Sequence, residues 1–171
     1  MAKHERRDLM FFVSLDAGST WEVLGVDNDD LSKELNPDVT RGKNVIGEST
    51  FRHLGYEPEV SVDPYYAEVG TNLYTKLMAA AIQEKYDDDS IKGLFVEVCY
   101  DTATTTTMSG TGYQREAYIV PQSTGGDTAG LGIPFTVNPV GPPTLVDVEY
   151  TIASRSADIQ THTPTPAGTG D

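Results

Sequence analysis

Carboxylates are the one class of reactive side chain that this sequence holds in quantity, with 26 Asp and Glu among 171 residues. Two runs, Asp27-Asn28-Asp29-Asp30 and Asp87-Asp88-Asp89, are dense enough to collect a hard cation. A calcium loop also needs a central glycine and a closing glutamate, which neither run supplies, so both read as solvated acidic turns. Ser109 in MSGTG lacks the Gly-x-Ser-x-Gly frame and the following helix of a nucleophile elbow. Gly42-Lys43 resembles the end of a phosphate loop, but Pro37 stands at the first glycine position and Asn44 where Ser or Thr is needed. The glycines of GGDTAGLG lie between strand patterns rather than ahead of a helix, so they read as turn residues, as do Gly110 and Gly112. His4, His53 and His162 are far apart, and the single cysteine, Cys99, lies in an apolar run as a buried structural residue. So many acids make chance pairs in space inevitable, and no residue is assigned a catalytic, cofactor-binding or metal-binding role. No cofactor is expected.

The remaining carboxylates are patterned. In Tyr56–Asp63, Tyr56, Pro58, Val60 and Val62 alternate with Glu57, Glu59, Ser61 and Asp63; near the C-terminus, Val146, Val148, Tyr150 and Ile152 alternate with Asp147, Glu149 and Thr151. A period of two with acids on one side describes strands with one solvated face. The formal charge of −14 argues against a protein that grips nucleic acid by its phosphates. Repelling phosphates is compatible with it. If copies closed into a ring with Glu57, Glu59, Asp63, Asp147 and Glu149 lining the bore, DNA would slide through without sticking.

The elements that must position these residues are mostly strands. Met10–Leu15 and Trp21–Val26 flank the turn DAGST and read as a hairpin; the short apolar run rules against a membrane span and favours a first strand over a signal segment, with a soluble protein expected. Glu68–Tyr86 carries the helix pattern: Leu73, Tyr74, Leu77, Met78, Ala80, Ala81 and Ile82 share an arc. The helix is expected over 71–86, with Asn72, Thr75, Lys76 and Gln83 toward solvent or a neighbour. Leu94, Val96, Val98 and Tyr100 alternate with Phe95, Glu97 and Cys99, so the expected helix–sheet core is Leu73, Leu77, Met78 and Ala81 on Leu94, Val96 and Val98, with Val146 and Val148. Tyr113–Pro121 and Ile133–Val137 are further strands, and NPVGPP is expected to break the chain before the last one. Between them, 27–50 forms a long polar arm without a sustained period, a length that inside a compact domain points to a partner. Residues 153–171 read as a flexible tail.

Three stretches together resemble the major tail proteins, the tail tube subunits, of long non-contractile-tailed bacteriophages, especially those of Gram-positive hosts. They are SKELNPD (Ser32–Asp38), SVDPYYAEVGTNLYTKL (Ser61–Leu77) and YIVPQSTGGDTAGLGIPFTVNPV (Tyr118–Val140). MFFVSLDAGSTWEVLG also looks like that family's opening strand and turn. The resemblance spans about residues 8–152; the Thr102–Thr107 run and the polar C-terminal tail depart from it.

The resemblance implies a mainly β fold with one flanking α-helix, an antiparallel β-sandwich or partly closed β-barrel in one domain, 9–152, after an N-terminal segment 1–8. It implies a structural virion protein that self-assembles into stacked hexameric rings, a hollow tube through which phage DNA passes without specific binding. The implied partners are further copies, the tape measure protein, and the distal tail and tail terminator proteins, in a phage tail with no membrane contact. On this view the ring-stacking arm is carried by Leu31, Lys33, Leu35, Asn36, Pro37, Asp38, Arg41, Lys43, Val45 and Phe51. The alternative is a monomeric β-sandwich binding or adhesion module displayed on a particle or cell surface.

Overall fold

The computed structural model describes residues 3–100 and 106–164. The first aromatic run forms β1 (Leu9–Ser14), which turns through DAGST into the short β2 (Glu22–Val23). Next come β3 (Lys33–Glu34), the pair β4 (Pro37–Lys43) and β5 (Ser49–Tyr56), and β6 (Glu59–Val62). Helix α1 (Asn72–Ile82) is followed by a single turn, α2 (Asp88–Ile91), then β7 (Lys92–Cys99) and β8 (Thr107–Pro121). A small hairpin, β9 (Gly125–Asp127) and β10 (Gly130–Gly132), leads to β11 (Phe135–Thr151) and β12 (Ser156–Thr161). The fold is mainly β and antiparallel with one flanking helix, as expected.

One sheet organises the chain in the order β2-β1-β7-β8-β11-β6-β3, with β12 also on β11. β11 has room for both partners because it is 17 residues long: Phe135–Val137 pairs with β6 and Val146–Thr151 with β12. NPVGPP does not break it. The prolines and Gly141 are absorbed in a register shift between Val140 and Thr144, which the Arg115 guanidinium holds by donating to the Gly141 carbonyl at 2.8 and 3.0 Å.

Because residues directly opposite in a ladder share a face, the register assigns every side chain to one of two sides. Phe11, Val13, Val60, Val62, Phe95, Ala117, Ile119, Phe135 and Val137 form one apolar cluster, and Leu73 and Leu77 of α1 press on it. Phe12, Val96, Val98, Tyr100, Met108, Val146, Val148 and Tyr150 form a second cluster on the opposite face. The sheet curls around this second cluster until β12 comes near β2, but no ladder joins them and the sheet is not closed into a barrel.

Several expectations are corrected. The helix ends at Ile82 rather than 86, and it packs on the Phe95 side of β7. Val96, Val98, Val146 and Val148 lie in the other cluster, away from the helix; β7 is a central strand apolar on both faces, so alternation alone could not choose the side. Of the remaining expected core residues, Leu73 and Leu77 are buried, while Met78, Ala81 and Leu94 are half-buried; Cys99, expected to be buried, is exposed at the end of β7. Gly110 and Gly112 are strand residues, not turn residues. A Cβ on Gly110 would lie 2.9 Å from the Tyr100 ring, and one on Gly112 2.7 Å from the Glu97 carbonyl oxygen, so their bareness admits β7. Six residues of the expected tail form β12, whose Ala157 and Ile159 pack on the second cluster. Residues 101–105 of the threonine-rich stretch and 165–171 of the tail lie outside the described residues.

Candidate assembly surfaces

The arm is a β-hairpin. Among the described residues β4 and β5 pair only with each other, as a separate two-stranded sheet, and every residue of both strands except half-buried Gly55 is exposed. Its tip is built by Asn44, whose side chain accepts the Ile46 and Glu48 amides at 3.2 and 2.8 Å, with Gly47 at φ 83° completing the reversal. An isolated two-stranded hairpin is at best marginally stable in water, so this one needs something to lie against. It also exposes large apolar side chains: Val45 104%, Ile46 74%, Leu54 67% and Phe51 61%.

The hairpin register places Val39 opposite His53, Arg41 opposite Phe51 and Lys43 opposite Ser49, all on one face. The Arg41 guanidinium lies 5.7 Å from the centre of the Phe51 ring, and His53 meets Tyr56 edge-on at 4.5 Å. Thr40, Gly42, Thr50 and Arg52 form the other face. The segment from Pro37 to Tyr56 holds three Arg or Lys residues against two carboxylates, in a chain whose net charge is −14.

The expected arm residues divide between Lys33 and Leu35. Leu35, Asn36, Pro37, Asp38, Arg41, Lys43, Val45 and Phe51 are exposed on or beside the hairpin. Leu31 is corrected: it is buried in the first cluster, and Arg6 donates to its carbonyl. Lys33 is tied back to the body as the paired strand β3 and by an ion pair with Glu97.

The two acidic strand faces do not meet. Val60 pairs with Val137 on the helix face, which sends Glu59 to the opposite face. Val146 and Val148 lie in the second cluster, which sends Asp147 and Glu149 to the helix face, beyond the end that α1 covers. Glu57 and Asp63 are exposed and Glu59 is half-buried. Asp147 and Glu149 are joined by Asp158 of β12, which stands directly opposite Glu149, and His162 approaches Asp147 at 2.8 Å. The polarity of 153–171 predicts a tail and hides Asp158, whose sequence signal is the alternation with Ala157 and Ile159.

Helix α1 is fixed to the sheet by polar contacts as well as by burial. Asn72 donates to the Asp16 carboxylate at 2.6 Å, Lys76 to the Leu15 carbonyl at 2.5 Å, and the Leu73 amide to Glu22 at 3.2 Å. Asn72 and Lys76, expected to face solvent, thus turn toward the β1–β2 loop. Burial opposes the charge on Asp16, but hydrogen bonds from Ser14, Thr20 and Asn72 hold it well below the usual carboxylate range. Glu22 goes the other way: burial pushes it up, against hydrogen bonds from Leu73 and Tyr65. It lines a cleft of about 240 Å³ with Tyr65, Tyr66, Glu68 and Arg155, where Arg155 reaches Glu68 at 3.2 Å. Its two oxygens are engaged by the Leu73 amide and, at 3.3 Å, the Tyr65 hydroxyl, so it serves as an anchor for the helix start.

Among the described residues no group of three His, Cys, Asp or Glu side chains could hold a metal ion, and no helix is long and apolar enough to cross a membrane. Asp87 instead precedes α2 and accepts the Ser90 hydroxyl at 2.8 Å.

No family model and no curated protein matches this chain. Among solved structures it is similar to the sheath/tube terminator of an extracellular contractile injection system, PVC, in the extended state. That likeness has 9% identity and a TM-score of 0.51, and covers 85% of this chain and 97% of the other. It is also similar to the tube-terminating cap of the anti-feeding prophage, at 14% identity and a TM-score of 0.49 over 95% of this chain and 93% of the other. At 9% identity, the first likeness is one of fold.

Proposed function

We propose that this chain is a structural subunit of the tube in a phage-tail-like particle, assembling head to tail into hexameric rings that stack through the hairpin β4–β5. The observation that carries this reading is that hairpin, ordered, bare on both faces and rich in exposed apolar side chains, standing off a sheet that is otherwise packed. The fold shared with a tube terminator supports it. Heterologous contacts that close by rotation give rings, and stacking of rings gives an open-ended tube. Glu57, Glu59 and Asp63 are then the candidates for the wall of the bore, where their charge would keep phage DNA from sticking during ejection. The tape measure protein inside the tube, and the distal tail and terminator proteins at its ends, complete the proposed set of partners in the virion.

Electron microscopy of the purified full chain across a concentration series tests this directly. Hollow tubes of stacked rings are expected; a chain that remains monomeric at every concentration and is absent from purified particles overturns it.

A second reading is favoured by the likeness covering 97% of a tube terminator: the chain would cap a tube rather than build one. Copy number separates the two. A tube subunit is present in many rings per particle, whereas a terminator is present in one.

A further inference from the structure

We propose that the hairpin of one copy docks on a specific acidic strip of a second copy. The strip is the part of the helix face that α1 leaves bare, where Tyr113 and Leu145 lie beside Asp147, Glu149 and Asp158. This deepens the tube reading and rests on it, since it names the receptor for the stacking element.

Chemistry on both sides selects the pair. The hairpin face bearing Arg41 and Lys43 also carries Val39 and Phe51, so it is basic and apolar together. The strip matches it in kind. Leu145 and Tyr113 are paired across β11 and β8, both exposed, with Asp147 opposite Thr111 and Glu149 opposite Ser109 further along the same face. Apolar residues of the hairpin can cover Leu145 and Tyr113 while its cations meet the carboxylates beyond them.

The strip also holds a local electrostatic conflict. Glu149 and Asp158 are directly opposite in the β11–β12 ladder and on the same face, an arrangement that costs stability when nothing neutralises it. The chain's own cations leave it unrelieved: among the described residues neither carboxylate has an ion-pair partner, Asp158 accepts a hydrogen bond from the neutral Gln160 amide at 3.1 Å, and the His162 ring approaches Asp147 instead. Two cations spaced along one hairpin face are the complement. The acidic face around Glu59 has a like-charged pair of its own, Glu34 directly opposite Glu59, but it is the weaker receptor, because it continues into Ser61 and Thr136 and, among the described residues, no large apolar side chain beside them is exposed.

A charge-swap experiment tests the pairing, with all four positions exposed so that folding is little affected. R41E/K43E and E149K/D158K are each expected to weaken self-association of the full chain at least tenfold by sedimentation, with unchanged thermal unfolding of the monomer. The fourfold variant is expected to regain it. Higher salt is expected to weaken the wild type and the swapped chain alike. E57K/E59K serves as the control and is expected to leave ring stacking intact. If E149K/D158K is silent while R41E/K43E abolishes association, the hairpin docks elsewhere and this inference falls, with the tube reading standing. If E57K/E59K rather than E149K/D158K rescues R41E/K43E, the other acidic face is the receptor and the inference is again overturned. A wild-type chain that never associates and is absent from particles removes the tube reading and the inference together.

Discussion

The Glu22 carboxylate accepts the Leu73 amide at 3.2 Å, placing a side chain of β2 on the start of α1. Thr71, the residue at the N-cap position, makes no side-chain capping bond itself. A carboxylate here satisfies an orphan helix amide and faces the positive end of the helix. It does so from another element, which couples helix formation to closure of the β1–β2 turn.

The pH dependence of stability should therefore contain two opposed contributions. Glu22 has a raised pKa when folded, so its contribution is complete below the unfolded value of about 4.3 and is lost as pH rises through the folded value. Asp16 has a lowered one, so its contribution is present above about 3.9 and is lost as pH falls toward its folded value. Urea unfolding of Glu22→Gln across the acid range should show the rise-with-pH loss removed. Asp16→Ala should cost about 2 kcal/mol at neutral pH, and the difference from wild type should shrink below about pH 3.9.

Tyr100 is buried in the second cluster with its hydroxyl unpartnered among the described residues. Burial pushes its pKa up, which keeps it neutral. Tyr100→Phe removes an unpaired polar atom and keeps the ring, so it should raise stability by about 1 kcal/mol in thermal or chemical unfolding. Destabilisation by the same amount would mean that the hydroxyl has a partner after all.

Gly112 lies opposite Val98, where a methyl group would meet the Glu97 carbonyl oxygen at 2.7 Å and the Val98 Cβ at 3.1 Å. Since backbone on the facing strand cannot rotate away, Gly112→Ala should cost about 2 kcal/mol. Gly47→Ala at the hairpin tip meets nothing within 4 Å and fails only through its positive φ, so it should alter the hairpin and spare the core. Comparing the unfolding of the two variants separates a packing glycine from a turn glycine.

Ending the chain after Arg155 removes β12 and uncovers Val146, Val148 and Tyr150. The truncated chain should lose about 3 kcal/mol or more of stability, as expected when several apolar contacts go at once. Ending it after Pro164 should change nothing measurable in the urea midpoint. Equal stability of both truncations would contradict the packing role of Ala157 and Ile159.

Alternating patterns were legible wherever a strand has one wet face. Val60 and Val62 against Glu59 and Ser61, and Val146, Val148 and Tyr150 against Asp147 and Glu149, were readable because burial on one side selects apolar residues at every second position. The helix was legible for the same reason at its own period, with Leu73, Leu77 and Ala80 buried. The hairpin was not. Each of its strands is solvated on both faces, so no burial imprinted an alternation on Pro37–Lys43, and its length and polarity were the visible signals.

By itself, then, the sequence determined that this is a mainly β chain with one amphipathic helix, strongly acidic, without a recognisable catalytic motif, and with an arm too long to be a simple turn. Tertiary structure decided the rest. It placed the helix on Phe95 instead of Val96 and Val98, because both faces of β7 are apolar and only the register with β1 and β8 distinguishes them. It set Glu59 on one face and Asp147 and Glu149 on the other, because Val60 stands opposite Val137 in the ladder with β6 while Val146 and Val148 turn to the second cluster beside β12. Period-two patterning shows which residues of a strand go together; the ladders between strands decide which way they point.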